Sequence, residues 1–168
     1  GISCGYADID RRTLGMQPAS VTIVAARPSM GKTSLALCMA RNMAVDAKEP
    51  VGIFSLEMSA ESLIARLIHT EAKVGRLDVA EAMGKIASAA STIASAPVHI
   101  DDRSALSVQQ ISAAARRMKQ QHNIKALFID YLQLIRSTRD KGTRNDEVAE
   151  ISNGMKAIAK ELRIPVVV

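Results

Sequence analysis

The feature that most constrains this chain is the segment 26–33, which reads Ala-Arg-Pro-Ser-Met-Gly-Lys-Thr directly after the apolar run at residues 21–25. An apolar strand that leads into Gly-Lys-Thr at the start of a helical stretch is typical of a phosphate-binding P-loop. In such a loop the backbone N–H groups turn inward, and the helix that follows adds the positive end of its dipole. The sequence therefore predicts a binding site for a nucleoside triphosphate, whereas a chance Gly-Lys-Thr would leave the preceding strand unexplained.

The side chains of this loop predict individual contacts. Gly31 would let the backbone approach the phosphates, Lys32 would reach the β and γ oxygens, and the Thr33 hydroxyl would coordinate Mg²⁺. The usual pattern opens with Gly, whereas this chain has Ala26 there, which predicts a turn that needs no positive φ at that position. The predicted nucleotide-binding residues are Ala26, Arg27, Pro28, Ser29, Met30, Gly31, Lys32, Thr33 and Ser34.

Composition limits the class of protein. A chain of 168 residues with 48% hydrophobic residues can bury the core of one α/β domain. No apolar run approaches the roughly twenty residues that span a bilayer, and no signal peptide opens the chain, so no membrane partner is predicted. Cys4 and Cys38 lack paired spacing, which predicts reduced thiols in a cytoplasmic protein. A net charge of +5 is compatible with a nucleic-acid partner.

Short apolar runs predict five strands, at residues 21–25, 51–56, 98–100, 126–129 and 165–168. Helical patterns lie between them, at residues 32–47, 59–72, 79–94, 107–121 and 146–162. Ser59 and Ser107 are the predicted N-caps of two of these helices. Apolar strands that alternate with helices indicate an α/β fold, with a mostly parallel sheet and helices on both faces. Ligands of such sheets bind at the carboxyl ends of the strands.

An acidic partner for the metal is expected at one of these strand ends. Asp130 follows the apolar residues 127–129 and could hold Mg²⁺ opposite Thr33. The pair Asp101 and Asp102 has a similar position after residues 98–100, but that run is shorter and contains His99. We therefore favour Asp130 as the metal residue and interpret the other two as a solvated strand end or a helix cap.

Two further polar residues are candidates for chemistry near the γ-phosphate. Glu57 ends the second predicted strand, where a carboxylate could orient or deprotonate the attacking water. It could equally be a negative charge that favours the helix predicted to begin at Ser59, and its spacing does not separate the two roles. Gln133 could contact the γ-phosphate, although the sequence by itself favours a surface glutamine.

Residues 136–145 predict a mobile loop directly after the Asp130 strand. The loop is polar and aperiodic, and its basic residues suit the phosphates of a nucleic-acid backbone. A solvated loop without a ligand is the alternative. The predicted nucleic-acid-binding residues are Arg136, Arg139, Lys141, Gly142 and Arg144.

Three motifs together resemble the DnaB-type replicative DNA helicases: AARPSMGKT at residues 25–33, SLEMS at 55–59 and IDYLQL at 129–134. Residues 147–162 are similar to the helix after the DNA-binding loop of that family, and residues 5–17 to the beginning of its ATPase domain. The resemblance runs through most of the chain. The combination of motifs is far more specific than a P-loop alone.

This resemblance implies a RecA-like P-loop NTPase fold and a homo-hexameric ring that hydrolyses ATP with Mg²⁺ while it moves along single-stranded DNA. It also implies a primase and a helicase loader as partners. By the same resemblance Glu57 is the catalytic base, Gln133 lies by the γ-phosphate and Lys32 completes the catalytic set. The loop at residues 136–145 would line the central channel, with Arg144 the first choice for a DNA contact.

We divide the chain into a leading segment, residues 1–20, and an ATPase core, residues 21–168. The core ends at a predicted strand, so we expect a truncated motor domain that lacks the family's later motifs. The chain looks shorter than the family between Thr70 and Ala80. Gly154 stands where the family has larger helix formers, and it should weaken its helix by about 1 kcal/mol relative to Ala.

Two other functions fit part of this evidence. A recombination or clock-type RecA-like ATPase would share the P-loop and Asp130, but not the other two motifs together. A nucleotide-gated loader or assembly module would retain ATP tightly and have little need of Glu57.

Overall fold

The computed structural model describes residues 1–27, 30–73, 79–130 and 144–168; the side chains of residues 144–146 are outside this description. Its α-helices are α1 (Ala7–Thr13), α2 (Lys32–Arg41), α3 (Ala60–Ala72), α4 (Val79–Ser95), α5 (Val108–His122) and α6 (Arg144–Leu162). A π-helical segment, Asn42–Asp46, follows α2 directly. The strands are β1 (Val21–Thr22), β2 (Val51–Ser55), β3 (Val98–Asp101), β4 (Ala126–Asp130) and β5 (Val166–Val167).

The strands form one five-stranded sheet in the order β1-β5-β4-β2-β3. Every strand pair in the described sheet is parallel, with Ser55 of β2 opposite Asp130 of β4 and Val21 of β1 opposite Val166 of β5. Parallel strands need crossover connections, and the helices between them provide these. The predicted α/β fold with a mostly parallel sheet is confirmed.

The two faces of the sheet are covered by different helices. Along β4, Ala126 and Phe128 pack into a core with residues of α2 and α3, whereas Leu127 and Ile129 pack into a second core with residues of α5 and α6. This alternation follows from the two-residue period of a strand. Apolar residues on both faces explain why residues 126–129 of β4 read as a continuous apolar run.

The predicted elements are found with shifts at their ends. β1 is shorter than predicted, although Val24 still donates a hydrogen bond from its amide to the carbonyl of Val168 (2.7 Å). The helix predicted to reach residue 47 changes to π-helical geometry after Arg41. The last helix begins at Arg144 rather than at residue 146, so Arg144 lies in α6 and not in the predicted loop.

Both predicted N-caps are confirmed. The Ser59 hydroxyl accepts a hydrogen bond from the Ser62 amide (3.3 Å) at the start of α3. At α5 the Ser107 hydroxyl accepts from the Gln110 amide, while the Gln110 side chain accepts from the Ser107 amide (2.8 Å), which is a complete capping box.

Helix α1 in the leading segment was not predicted. It has seven residues, none of them buried, and its N-cap, Tyr6, makes no side-chain hydrogen bond. The segment is nevertheless attached to the core, since Cys4 and Met16 are buried with residues of α2 and an antiparallel bridge joins Ile2 to Met16. Cys4 and Cys38 are both free thiols, as expected from their spacing.

Helices α5 and α6 pack closely at Gly154. A Cβ built on Gly154 would lie 2.3 Å from Cγ1 of Val108, the first residue of α5. Real Cβ atoms do not approach another carbon so closely, so the missing side chain is what allows this contact. The sequence predicted only a weaker helix at Gly154; its packing role depends on a residue far away in the chain.

Candidate nucleotide site

The polar cluster at the carboxyl edge of the sheet joins the start of α2 to the end of β4. The Thr33 hydroxyl donates a hydrogen bond to Oδ2 of Asp130 (2.8 Å), and Nζ of Lys32 lies 3.9 Å from Oδ1 of the same carboxylate. The side chain of Asp130 is 14% exposed, so this charge is held in a largely desolvated position beside its cationic and hydroxyl partners. The structure thus brings together the three predicted residues for metal and phosphate contacts.

This juxtaposition follows from the topology. Strand β1 leads towards α2, and β4 ends at Asp130, with β5 between the two strands in the sheet. The carboxyl ends of parallel strands meet at one edge, and α2 begins at that edge. Residues that are 97 positions apart in sequence therefore touch.

Gly31 has a conformational role at the mouth of α2. It is the N-cap of the helix with a left-handed φ of 84°, and its carbonyl accepts the amide of Leu35 (2.9 Å). A Cβ on Gly31 would meet no atom within 4 Å, so the requirement here is the backbone angle and not space. Ala26, by contrast, is not among the residues with positive φ, which confirms that the turn needs no glycine there.

The beginning of α2 faces solvent. Ala26, Arg27 and Ser34 are exposed, and Met30 is 72% exposed, so a ligand could reach the amides at this end of the helix. A hydroxyl oxygen, a carboxylate and an amino group are the donor set expected for a Mg²⁺-bound polyphosphate, because Mg²⁺ prefers oxygen ligands and takes several of them from phosphate and water. The described residues contain no cluster of three or more His, Cys, Asp or Glu side chains that could hold a metal alone.

Glu57 lies at the same edge of the sheet as Asp130. It follows β2, whose last residue, Ser55, is paired with Asp130, and the Leu56 amide donates to the Asp130 carbonyl (2.9 Å). The Glu57 side chain is exposed and sits in a bend before α3. The sheet therefore places Glu57 at the same edge as the Thr33–Asp130 pair.

The structural role of the buried Ser55 was not predicted from the sequence. Its side chain is 1% exposed, and its hydroxyl donates to the carbonyl of Met58 (2.7 Å) across the bend that carries Glu57. The signal was present in the sequence as a serine at the end of an apolar strand, but such a serine is also common in surface turns.

The rival carboxylates have structural roles, as interpreted from the sequence. Asp101 pairs with Arg103 (2.6 Å), and this side-chain hydrogen bond holds the pKa of Asp101 below its usual value. Oδ2 of Asp102 accepts the amide of Ala60 (2.9 Å) at the first turn of α3, which makes it a helix-capping residue.

The histidines form no metal site in the described residues. His99 and His122 stack instead, with ring centroids 3.8 Å apart and planes 11° apart. They line a groove of about 370 Å³ between β3 and α5 together with Arg117 and Gln121. Burial of the ring, followed by the charge of His122, lowers the pKa of His99.

Several predicted residues lie outside the described part of the chain. These are Pro28 and Ser29 of the loop, Gln133, and the predicted DNA-contacting residues Arg136, Arg139, Lys141 and Gly142. The backbone of Arg144 begins α6, while its side chain is not described. The assignments of these residues stay predictions.

Among the described residues, no helix is both long enough and apolar enough to cross a membrane.

A P-loop-type helix start, an aspartate at the end of β4 and a parallel sheet define a RecA-like P-loop NTPase fold. The sequence matches the family described as DnaB-like helicase C terminal domain over residues 1–168. The chain belongs to this family.

Individual relatives agree with the family match. The chain is 42% identical over 174 residues to the replicative DNA helicase DnaB of Geobacillus stearothermophilus, and equally identical to the replicative DNA helicase DnaC of Bacillus subtilis. Each alignment covers 99% of this chain and 38% of the relative. The chain thus spans about two fifths of the length of these relatives.

A solved DnaB-like replicative helicase, described with its interactions with primase, superposes with a TM-score of 0.92 at 33% identity. That superposition covers 99% of this chain and 42% of the solved chain. The alignments with the two curated relatives are longer than the 168-residue chain, so those relatives carry residues that this chain lacks.

Proposed function

We propose that this chain is the ATP-hydrolysing motor segment of a replicative DNA helicase. In this role it hydrolyses ATP to translocate on single-stranded DNA and unwind a duplex, as part of a hexameric ring. The observation that carries the proposal is the contact of Thr33 and Lys32 with Asp130 at the carboxyl edge of the sheet, in a chain of the DnaB-like helicase family.

The roles of the site residues follow from their chemistry. Lys32 neutralises phosphate charge, and Thr33 and Asp130 hold the Mg²⁺ that accompanies ATP. When bound, Mg²⁺ supplies charge neutralisation for the transferred phosphoryl group. The backbone N–H groups between Ala26 and Ser34, except at Pro28, which has none, bind the phosphates at the positive end of the α2 dipole.

Glu57 is proposed as the general base, because it is exposed to solvent and lies at the strand end next to Asp130. Gln133, in the segment that follows Asp130, is proposed to contact the γ-phosphate and to report its loss to residues 136–145. In that segment the basic residues would bind the DNA backbone, with an affinity that falls as salt rises.

The assembly is proposed from the family. A head-to-tail interface between copies closes into a ring, and each nucleotide site then lies against a neighbour. Primase and a helicase loader are the proposed partners, and the cytoplasm is the proposed location. A relative of solved structure is described with its interactions with primase.

ATP turnover tests this proposal, measured with and without a single-stranded oligonucleotide at one moderate salt concentration. The chain is assayed alone and as part of the full-length polypeptide that contains it. Strong stimulation by the oligonucleotide supports a translocating motor. Turnover that is indifferent to DNA would replace it with a RecA-like ATPase that does not unwind.

Two variants test the site itself. Lys32→Ala should abolish tight ATP binding, because it removes the amino group next to Asp130 and the phosphates. Glu57→Gln should bind ATP normally and lose turnover, because the amide keeps the shape of the side chain but accepts no proton. Turnover at the wild-type rate in Glu57→Gln would remove Glu57 from the role of base and favour a nucleotide-gated binding module.

A further inference from the structure

The bend that carries Glu57 is fixed from within by a buried hydroxyl. Ser55 is the buried polar residue of the described chain, and its Oγ donates to the Met58 carbonyl at 2.7 Å. The hydrogen bond closes a short loop around Leu56 and Glu57. A buried hydrogen bond of this kind holds the bend in one conformation, because leaving either the hydroxyl or the carbonyl unpaired is unfavourable.

The strand side of the bend is anchored to β4. The Leu56 amide donates to the Asp130 carbonyl (2.9 Å), and the Leu56 side chain is 5% exposed in the core. The backbone on this side of Glu57 is therefore tied to the same residue, Asp130, whose carboxylate accepts from Thr33.

The helix side of the bend is anchored as well. The Ala60 amide donates to Asp102 (2.9 Å), and the Ser59 hydroxyl caps α3. The chain is therefore held on both sides of Glu57, whose own side chain remains exposed. Of these contacts, the Ser55–Met58 hydrogen bond is the one that spans the bend itself.

We propose that Ser55 is a positioning residue for Glu57: its hydroxyl sets the bend from Leu56 to Met58 and so places the Glu57 carboxylate over the phosphate end of the nucleotide. The inference rests on the proposed role of Glu57 as general base. A base acts only within hydrogen-bond reach of the water it activates, and a displacement of about 1 Å can reduce a rate about 100-fold.

The experiment compares Ser55→Ala with Glu57→Gln and with the double variant, each made in the full-length polypeptide that contains this chain. Ser55→Ala should lower kcat about 10- to 100-fold while the KM and the Kd for ATP change less than about 3-fold. In the double variant kcat should be no lower than in Glu57→Gln alone, since Ser55 acts through Glu57.

The matched control is Ser107→Ala, which removes the capping hydroxyl of α5 away from the bend. It should lower the thermal unfolding midpoint and leave kcat unchanged. Ser55→Cys keeps a small side chain with a weaker donor, and it should give an intermediate kcat; it serves in place of Ser55→Ala if that variant does not fold.

The outcomes separate this inference from the proposed function. Wild-type kcat in folded Ser55→Ala or Ser55→Cys overturns the positioning role while Glu57 remains the base. The positioning role is also overturned if Ser55→Ala lowers kcat by the same factor in the wild type and in the Glu57→Gln background. Wild-type turnover in Glu57→Gln overturns the proposed role of Glu57 as base, and the inference about Ser55 with it. The two failures are distinguishable because they are read from different variants.

Discussion

Replacing Gly154 by Ala sets two known effects against each other. In an isolated helix the change would stabilise α6 by about 1 kcal/mol, because Gly is the poorer helix former. In this fold the new Cβ would lie 2.3 Å from Cγ1 of Val108 and 3.3 Å from its Cγ2. Val is stiff about χ1, so it cannot turn away freely, and overpacking of this kind costs about 1–3 kcal/mol.

The clash should therefore prevail. We expect Gly154→Ala to lower the free energy of unfolding by up to about 2 kcal/mol, the difference between the two effects. In a Val108→Ala background the clash is removed, and the same Gly154→Ala change should instead stabilise the protein by about 1 kcal/mol. The change of sign between the two backgrounds is the signature of a direct contact.

Urea unfolding followed by far-UV circular dichroism measures all four members of this cycle. Asn153→Ala is the control. Asn153 is the exposed residue just before Gly154 in α6, so this substitution should show only the gain in helix propensity. Stabilisation by Gly154→Ala in the unmodified chain would refute the reasoning. The same effect in both backgrounds would also refute it.

Three further predictions concern the site and the histidine pair. Gly31→Ala should lower stability by about 1 kcal/mol, because alanine resists the left-handed φ of 84°; thermal unfolding measures this, and an unchanged midpoint contradicts it. Asp130→Asn should raise the Mg²⁺ concentration needed for ATP binding about 10- to 100-fold, as a Mg²⁺ titration of ATP affinity would show; an unchanged Mg²⁺ requirement would exclude Asp130 from the metal site. The pKa of His99 is lowered below its ordinary 6.5, so the unfolded chain takes up the proton first and stability should fall as the pH drops below about 6.5. Urea unfolding between pH 7.5 and 5 should show that the free energy of unfolding changes less steeply with pH in His99→Gln than in the wild type. An identical pH dependence in both proteins would contradict the lowered pKa of His99.

Much of the fold could be predicted because the sequence encodes it locally. All five strands were found where short apolar runs stand, and Ser59 and Ser107 cap their helices as predicted. Asp130 could be placed near Thr33 because strand ends meet at one edge of a parallel sheet. These signals depend on neighbouring residues or on a general rule of topology.

The features that could not be predicted depend on contacts between distant residues or on weak local signals. Helix α1 lacks a side-chain cap and a buried face, so its pattern is indistinct. The packing of Gly154 against Val108 is invisible to helix propensity, which predicted a cost at a position where the fold requires glycine. The hydroxyl of Ser55 gains its meaning only from its burial and its Met58 partner.

The strand order has a consequence for how the protein is made. Strand β1, which precedes α2, joins the described sheet only through β5, with Val21 opposite Val166. During synthesis β2, β3 and β4 can pair as soon as each emerges, whereas β1 must wait for residues 166–168 to leave the ribosome. Pairing across such a sequence separation is slow, because a long loop must close first. Among the described strands, β1 is therefore synthesised before the others but is one of the last to pair.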